Sequence, residues 1–214
     1  AKLQDDEVHM VSAYRRIIRT SIFITTILMI PMGAVAEPLI YCLIGPQWHL
    51  AATYLPLICI TMSLYPLHAI NLSMLQVQGR TDVFLYLEIA KKIIAIGPLL
   101  LGIFIDIYWM LIGSIISGII SFFLNSYYTG KRIGYTSWMQ IKDVMPSYGV
   151  AFTVALSVYF FKYLPISNWI ILPIQLVIGV GVFLLIGETT KMPDYVEVKK
   201  IARDYISRFI NRKG

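Results

Sequence analysis

The side chains with chemical potential inside apolar segments are few, and they cluster. Glu88 stands three and four residues before Lys91 and Lys92, the spacing at which side chains meet on one helix, so its carboxylate can pair with one ammonium and leave the other unpaired in that helix. Two readings follow. Both lysines can lay their stems along the helix and snorkel to headgroups, or at least one can face a water-filled cavity and attract an anionic group such as a phosphate. Upstream, Thr61, Tyr65, His68 and Asn71 recur at intervals of three and four, which places them on one helix face. His68 suits a protonatable coupling site, or a hydrogen bond across a helix interface. Pro66 removes a backbone donor beside it, the usual mark of a bend. Glu37, just before Pro38, is either interfacial or ion-coupling. The substrate-cavity candidates are therefore Lys91, Lys92, Glu88, His68, Asn71 and Tyr65, and the ion-coupling candidates are Glu37 and His68. No paired carboxylates, HExxH, G-x-S-x-G, phosphate-cradling glycine loop or Cys/His metal cluster occurs in the sequence, so no catalytic residue, metal or cofactor is assigned.

The elements that must hold these residues follow from composition. The 214 residues are 57% hydrophobic and 14% charged, with a mean hydropathy of +0.71, whereas an ordinary soluble domain carries about 25% charge. Near-continuous apolar runs replace the alternation of a membrane β-barrel. The expectation is an all-α polytopic membrane bundle. At about 20 apolar residues per crossing, the runs divide into six spans: about 20–43, 52–77, 84–105, 108–128, 144–163 and 169–187. A lead-in helix over 1–19 precedes them and a basic amphipathic tail over 188–214 follows. Asp106-Ile107-Tyr108-Trp109 breaks the longest run and supplies an acid and two interfacial aromatics for a hairpin. Ile93 to Ile105 alone is too short to cross, so the third span recruits residues back to about Phe84 and takes Glu88, Lys91 and Lys92 into the membrane.

Six spans put both ends on one side. Of 18 Lys and Arg, 17 lie nearer that side and Lys162 alone nearer the other, so the positive-inside rule makes both ends cytoplasmic. The net charge of +6 then points to anionic lipid and not to nucleic acid. In the tail, Val198, Ile201, Ala202, Tyr205, Ile206, Phe209 and Ile210 fall at helical spacing among Lys199, Lys200, Arg203 and Arg208, the pattern of a helix lying on the inner leaflet or of a solvated tail. Cys42 and Cys59 sit in apolar stretches and read as small hydrophobes. Gly113, Ser117 and Ser121, with Ser114 and Gly118, form a small-residue ladder that lets a neighbouring helix approach; Asn125 continues it. Pro31, Pro98 and Pro173 predict bent spans. The chain opens on Ala1, and Ala1 to Asp6 form no targeting segment, the pattern expected of a fragment or a processed chain.

Three stretches taken together carry a resemblance: Lys2-Leu3-Gln4-Asp5-Asp6 leading to Tyr14-Arg15-Arg16; Ala36-Glu37-Pro38-Leu39-Ile40 leading to Gly45-Pro46-Gln47-Trp48 and Ala51-Ala52; and Gly79-Arg80-Thr81-Asp82 leading to Glu88 and Lys91-Lys92. In order and spacing they resemble the second half of the bacterial polysaccharide-biosynthesis membrane proteins, the O-antigen or lipopolysaccharide oligosaccharide flippases of the multidrug/oligosaccharidyl-lipid/polysaccharide exporter superfamily. The resemblance is most specific over residues 2–92, and from about 108 on it is mainly one of hydropathy. It implies one lobe of a two-lobe, alternating-access exporter in the bacterial inner membrane. That exporter moves a polyprenyl-pyrophosphate-linked oligosaccharide and needs an amino-terminal lobe of the same chain. The resemblance makes the lipid-linked oligosaccharide and membrane lipids the partners, with Lys91 or Lys92 on the pyrophosphate and His68, Asn71 and Tyr65 along the sugar path. A multidrug/cation antiporter lobe of the same superfamily predicts cavity acids, of which few are present. A non-transporting scaffold or enzyme of glycan synthesis is the third class.

Overall fold

The structure is a computed structural model that describes residues 2–211. Ala1 and the Arg212-Lys213-Gly214 end lie outside the described residues, as do the side chains of 2–8, 132, 206 and 208–211. The expectations for Lys2 to Asp6, Ile206, Arg208, Phe209 and Ile210 fall there.

Nine helices occur among the described residues: α1 (Lys2–Ala34), α2 (Ala36–Leu43), α3 (His49–Ser63), α4 (Tyr65–Val77), α5 (Thr81–Phe104), α6 (Ile107–Ile133), α7 (Ser137–Tyr159), α8 (Asn168–Thr190) and α9 (Pro193–Asn211), with short 3₁₀ turns at Pro46–Trp48 and Phe160–Tyr163. The described residues contain no strand. Five segments are long and apolar enough to cross a membrane: His9–Ala34, Pro46–Val77, Ile107–Lys131, Ser137–Tyr163 and Asn168–Thr190. The chain is a polytopic helical bundle. Helix α5, at 24 residues, has the length to cross, and the three charges Glu88, Lys91 and Lys92 set it apart from those five.

Where the helices break, proline explains it. The lead-in and the first span are one continuous helix, α1, which ends at Ala34 and not near Leu43. Pro38 lies four residues beyond, and a proline ring clashes with the carbonyl of residue i−4. The chain bends at Val35 while Val35 N still donates to Pro31 O at 3.1 Å. The second span is likewise two helices, α3 and α4, parted at Leu64. Pro66 has no N–H to continue the ladder, so the turn tightens to Leu64 N→Thr61 O at 3.2 Å and Leu67 N→Leu64 O at 3.1 Å. Asp106 caps α6 by accepting from Tyr108 N at 2.5 Å, which is the hairpin its acid and aromatics predict.

Helix α1 is the spine of the bundle, with α3 and α7 along it; α5 lies along α6, and α8 flanks α7. Tyr14, Ile18 and Ile22 of α1, Leu67 and Met74 of α4, and Phe122, Tyr135 and Val144 form the main apolar cluster. The small-residue ladder sits at a helix contact: a Cβ on Gly113 would stand 3.3 Å from Cα of Pro98, so its hydrogen admits α5. Gly130 has a stricter role. Gly134 ends α6 in the left-handed region at φ +69° and Thr136 caps α7, which brings the Tyr135 carbonyl back over Gly130, where a Cβ would collide with it. Because that obstacle is backbone, Gly130→Ala must open the α6–α7 turn, at a cost of about 1–3 kcal/mol or more. The purified variant is expected to unfold roughly 5–10 °C lower in a detergent thermal scan. An unchanged midpoint would contradict this close return of the chain.

Candidate functional site

The charged centre lies midway along α5. Lys91 is about 15 Å along the helix axis from Thr81, and Lys92 about 18 Å from Phe104, at 1.5 Å per residue. Lys91 donates to Glu88 across the i,i+3 spacing, and their side chains are 18% and 34% exposed. One carboxylate and one ammonium thus neutralise each other. Lys92, one residue on, projects from the exposed side of α5 and makes no ion pair among the described residues. Snorkelling would require its ammonium to reach a headgroup region from the middle of the helix.

Against this stretch stands α4. His68 is half-buried. Its Nδ1 is enclosed without a hydrogen-bond partner, so the structure supplies that nitrogen no bond across a helix interface. Its Nε2 is 3.9 Å from the point a Cβ on Gly118 would occupy, so a glycine of α6 leaves room for the imidazole.

The common face expected for Thr61, Tyr65, His68 and Asn71 is divided, because the break at Leu64 leaves Thr61 on α3 and the other three on α4. Thr61 turns inward on its own helix and donates to Leu57 O at 3.0 Å. Tyr65, in the first turn of α4, is 62% exposed. Asn71 is wholly buried, which corrects its expected place along an open cavity. Its Oδ1 accepts from Tyr14 Oη at 2.9 Å and from Gln140 Nε2 at 3.1 Å, and its Nδ2 donates to Leu67 O at 2.8 Å and Gln140 Oε1 at 2.9 Å. Thr129 Oγ1 donates to the Asn71 carbonyl at 3.1 Å. Asn71 therefore joins α1, α4, α6 and α7 in one polar knot, and its amide is fully used.

Glu37 belongs elsewhere. It is exposed on α2 and lines a cavity of about 630 Å³ with Tyr41, His49, Tyr159 and Lys162 over an apolar floor that includes Ile60 and Phe152. No residue of α4 or α5 lines it, so Glu37 and the Glu88–Lys91 pair occupy separate sites. Lys162 donates to Tyr159 Oη at 2.7 Å and lies 4.0 Å above that ring and 4.9 Å from the Tyr163 ring. His49 and Tyr159 were not among the sequence candidates, because α3 and α7 meet here only through the fold.

A third set of charges went unnoticed in the sequence because its partners are far apart along the chain. Arg15 bonds Asp143 through two nitrogens, and Tyr135 Oη donates to the same carboxylate at 2.8 Å. Burial, then that bond to Asp143, raises the Tyr135 hydroxyl well above the ordinary tyrosine value. Arg16 pairs with Glu197 and Arg19 with Asp194 at 3.1 Å. One face of α1 thereby ties down α7 and α9.

Cations on α5 can hold an anion; the imidazole, phenol and carboxylate groups can bind polar matter or move a proton. Among the described residues no group of three His, Cys, Asp or Glu is placed to hold a metal ion. Residues 1–53, comprising α1, α2 and the start of α3, match a family model described as "Polysaccharide biosynthesis protein", which supports a place in a polysaccharide biosynthesis family. No curated protein and no solved structure matches the chain.

Proposed function

We propose that the chain is the carboxyl-terminal lobe of a flippase that moves polyprenyl-pyrophosphate-linked oligosaccharide across the bacterial inner membrane, for lipopolysaccharide or capsule assembly. The observation that carries this reading is Lys92, a cation without an ion pair among the described residues, beside the self-neutralised Glu88–Lys91 pair in the middle of α5. The match of residues 1–53 to a polysaccharide biosynthesis family and the resemblance of residues 2–92 supply the substrate class. In this reading α5 also crosses the membrane, as the third of six spans, both ends of the segment are cytoplasmic, and an amino-terminal lobe of the same chain completes the cavity.

Mechanism follows from charge. A pyrophosphate cannot enter hydrocarbon uncompensated. Lys92 offers a fixed cation to the phosphates, and Lys91 joins it when Glu88 releases it. The exposed Tyr65 phenol and the half-buried His68 present polar groups to the sugars, while the acyl chain stays in lipid. Alternating access is carried by bundle movement about bent helices, of which the breaks at Val35 and Leu64 are two. Glu37 in its cavity is the ion-coupling candidate. The activity is transport, with no bond made or broken.

Deleting the gene in its native host separates transport from synthesis. The expected result is loss of surface polysaccharide while complete lipid-linked oligosaccharide accumulates on the cytoplasmic leaflet. An incomplete oligosaccharide would instead assign the protein to glycan synthesis. Tagging the carboxyl terminus at its own locus is expected to give a product near twice the 24.3 kDa of this chain.

A further inference from the structure

The amphipathic helix α9 does more than lie beside the bundle. Its first turns are anchored: Asp194, 4% exposed at its side chain, pairs with Arg19, and Glu197 pairs with Arg16. Tyr195 is buried over Gly187, where any side chain on that glycine would meet its ring, and its ring lies 5.7 Å from that of Phe183. So held, α9 diverges from the end of α8 and leaves a wedge with two troughs. One, of about 550 Å³, has Phe183, Leu184, Val198 and Ala202 as an apolar wall with Lys199 and Arg203 at the rim. The other, of about 520 Å³, is lined by Lys191, Lys199, Lys200 and Arg203, opposed by Glu188 and Asp204. Each trough is of the size of a small-molecule site.

The charges around the wedge do not cancel. Glu188 is engaged by Lys199 and by the Tyr195 hydroxyl at 2.7 Å, and that bond to Glu188 raises the pKa of Lys199 and keeps its ammonium charged. Lys200 and Arg203 are exposed and make no ion pair among the described residues. Apolar wall and surplus cations meet where a spanning helix ends, the depth at which a phospholipid passes from acyl chain to phosphate.

We infer that the α8–α9 wedge is a binding site for an anionic phospholipid, its acyl chain against Phe183, Leu184 and Ala202 and its phosphate between Lys200 and Arg203. The site is independent of the transport reading. It makes α9 a lipid-gripping clasp on the bundle, beyond general attraction of a basic helix to a negative surface.

Native mass spectrometry of the full chain in detergent tests it, with phosphatidylglycerol and phosphatidylcholine of matched acyl chains. Phosphatidylglycerol is expected to be retained at roughly 10-fold lower concentration than phosphatidylcholine, and the double variant Lys200→Gln, Arg203→Gln to lose that preference. Inorganic phosphate at millimolar concentration is expected not to displace the lipid, because it gains nothing from the apolar wall; displacement would assign the site to free phosphate and overturn the inference. Equal retention of the two lipids by the native chain, or an undiminished preference in the double variant, would also overturn it. Should the double variant aggregate, the single substitutions at these two exposed positions are each expected to show a partial loss, and no loss in either would count against the site.

Discussion

Replacing Lys92 by Gln in the native full-length protein is expected to lower surface polysaccharide at least 10-fold at matched protein level, while complete lipid-linked oligosaccharide accumulates inside. The effect is large because glutamine removes the positive charge while leaving a polar, slightly shorter side chain that can still donate a hydrogen bond. A pyrophosphate leaving water must replace its hydration with fixed cations. A charge-assisted hydrogen bond in a water-poor site contributes about 1.5–3 kcal/mol, roughly one to two orders of magnitude in an equilibrium constant. Lys91→Gln is expected to lower polysaccharide less, because the Lys91 charge is already engaged by Glu88. Lys92→Arg is expected to retain most activity, since it keeps the cation. Normal polysaccharide in Lys92→Gln would remove Lys92 from substrate binding. Equal losses in all three variants would point to packing of α5 in place of charge.

Asn71→Ala is expected to be the most damaging single truncation for the stability of the bundle. The substitution strands the Tyr14 hydroxyl and the Gln140 amide, both buried, and leaves a small void. Buried polar groups that lose their partners cost about 1–3 kcal/mol each, although interhelical hydrogen bonds in membrane proteins average nearer 0.6 kcal/mol because unfolded helices find other partners. The knot spans four helices, and a net loss of about 2–4 kcal/mol is expected, read as a midpoint roughly 5–15 °C lower in detergent. Asn71→Asp keeps an acceptor oxygen for Tyr14 and Gln140 Nε2 but loses both Nδ2 donations, to Leu67 O and Gln140 Oε1. It also sets a second oxygen against those two acceptors, so it is expected to destabilise at least as much as Asn71→Ala. If Asn71→Ala unfolds at the native temperature, the knot is not a source of stability and Asn71 regains its claim to a substrate role.

The sequence alone was enough for whatever depends on hydropathy and local spacing. Apolar runs must bury their backbone polar groups within helices wherever water is absent, so the all-α membrane bundle was legible from composition. The Asp106 hairpin was legible because a short acid side chain ahead of a helix caps it, and the bend at Pro66 because proline has no N–H. The Glu88–Lys91 pair was legible as an alternative between two lysines, since i,i+3 and i,i+4 neighbours are set by helix geometry alone. Which lysine the carboxylate takes was not, because that depends on the side of α5 that faces α4 and α6.

Only the tertiary structure decided the fate of the polar face on α4. The turn at Leu64 takes Thr61 out of register with the others, and Tyr65 and Asn71, six residues apart on α4, stand about 120° apart at 3.6 residues per turn, so Tyr65 lies outside while Asn71 enters the centre of four helices. The partners that satisfy Asn71 come from residues 57 and 69 positions away in the chain. The same holds for Arg15 with Asp143, Arg16 with Glu197 and the wedge beneath α9. Such contacts join residues with no local signal between them, and only the packing of α1 against α7 and α9 brings them within reach.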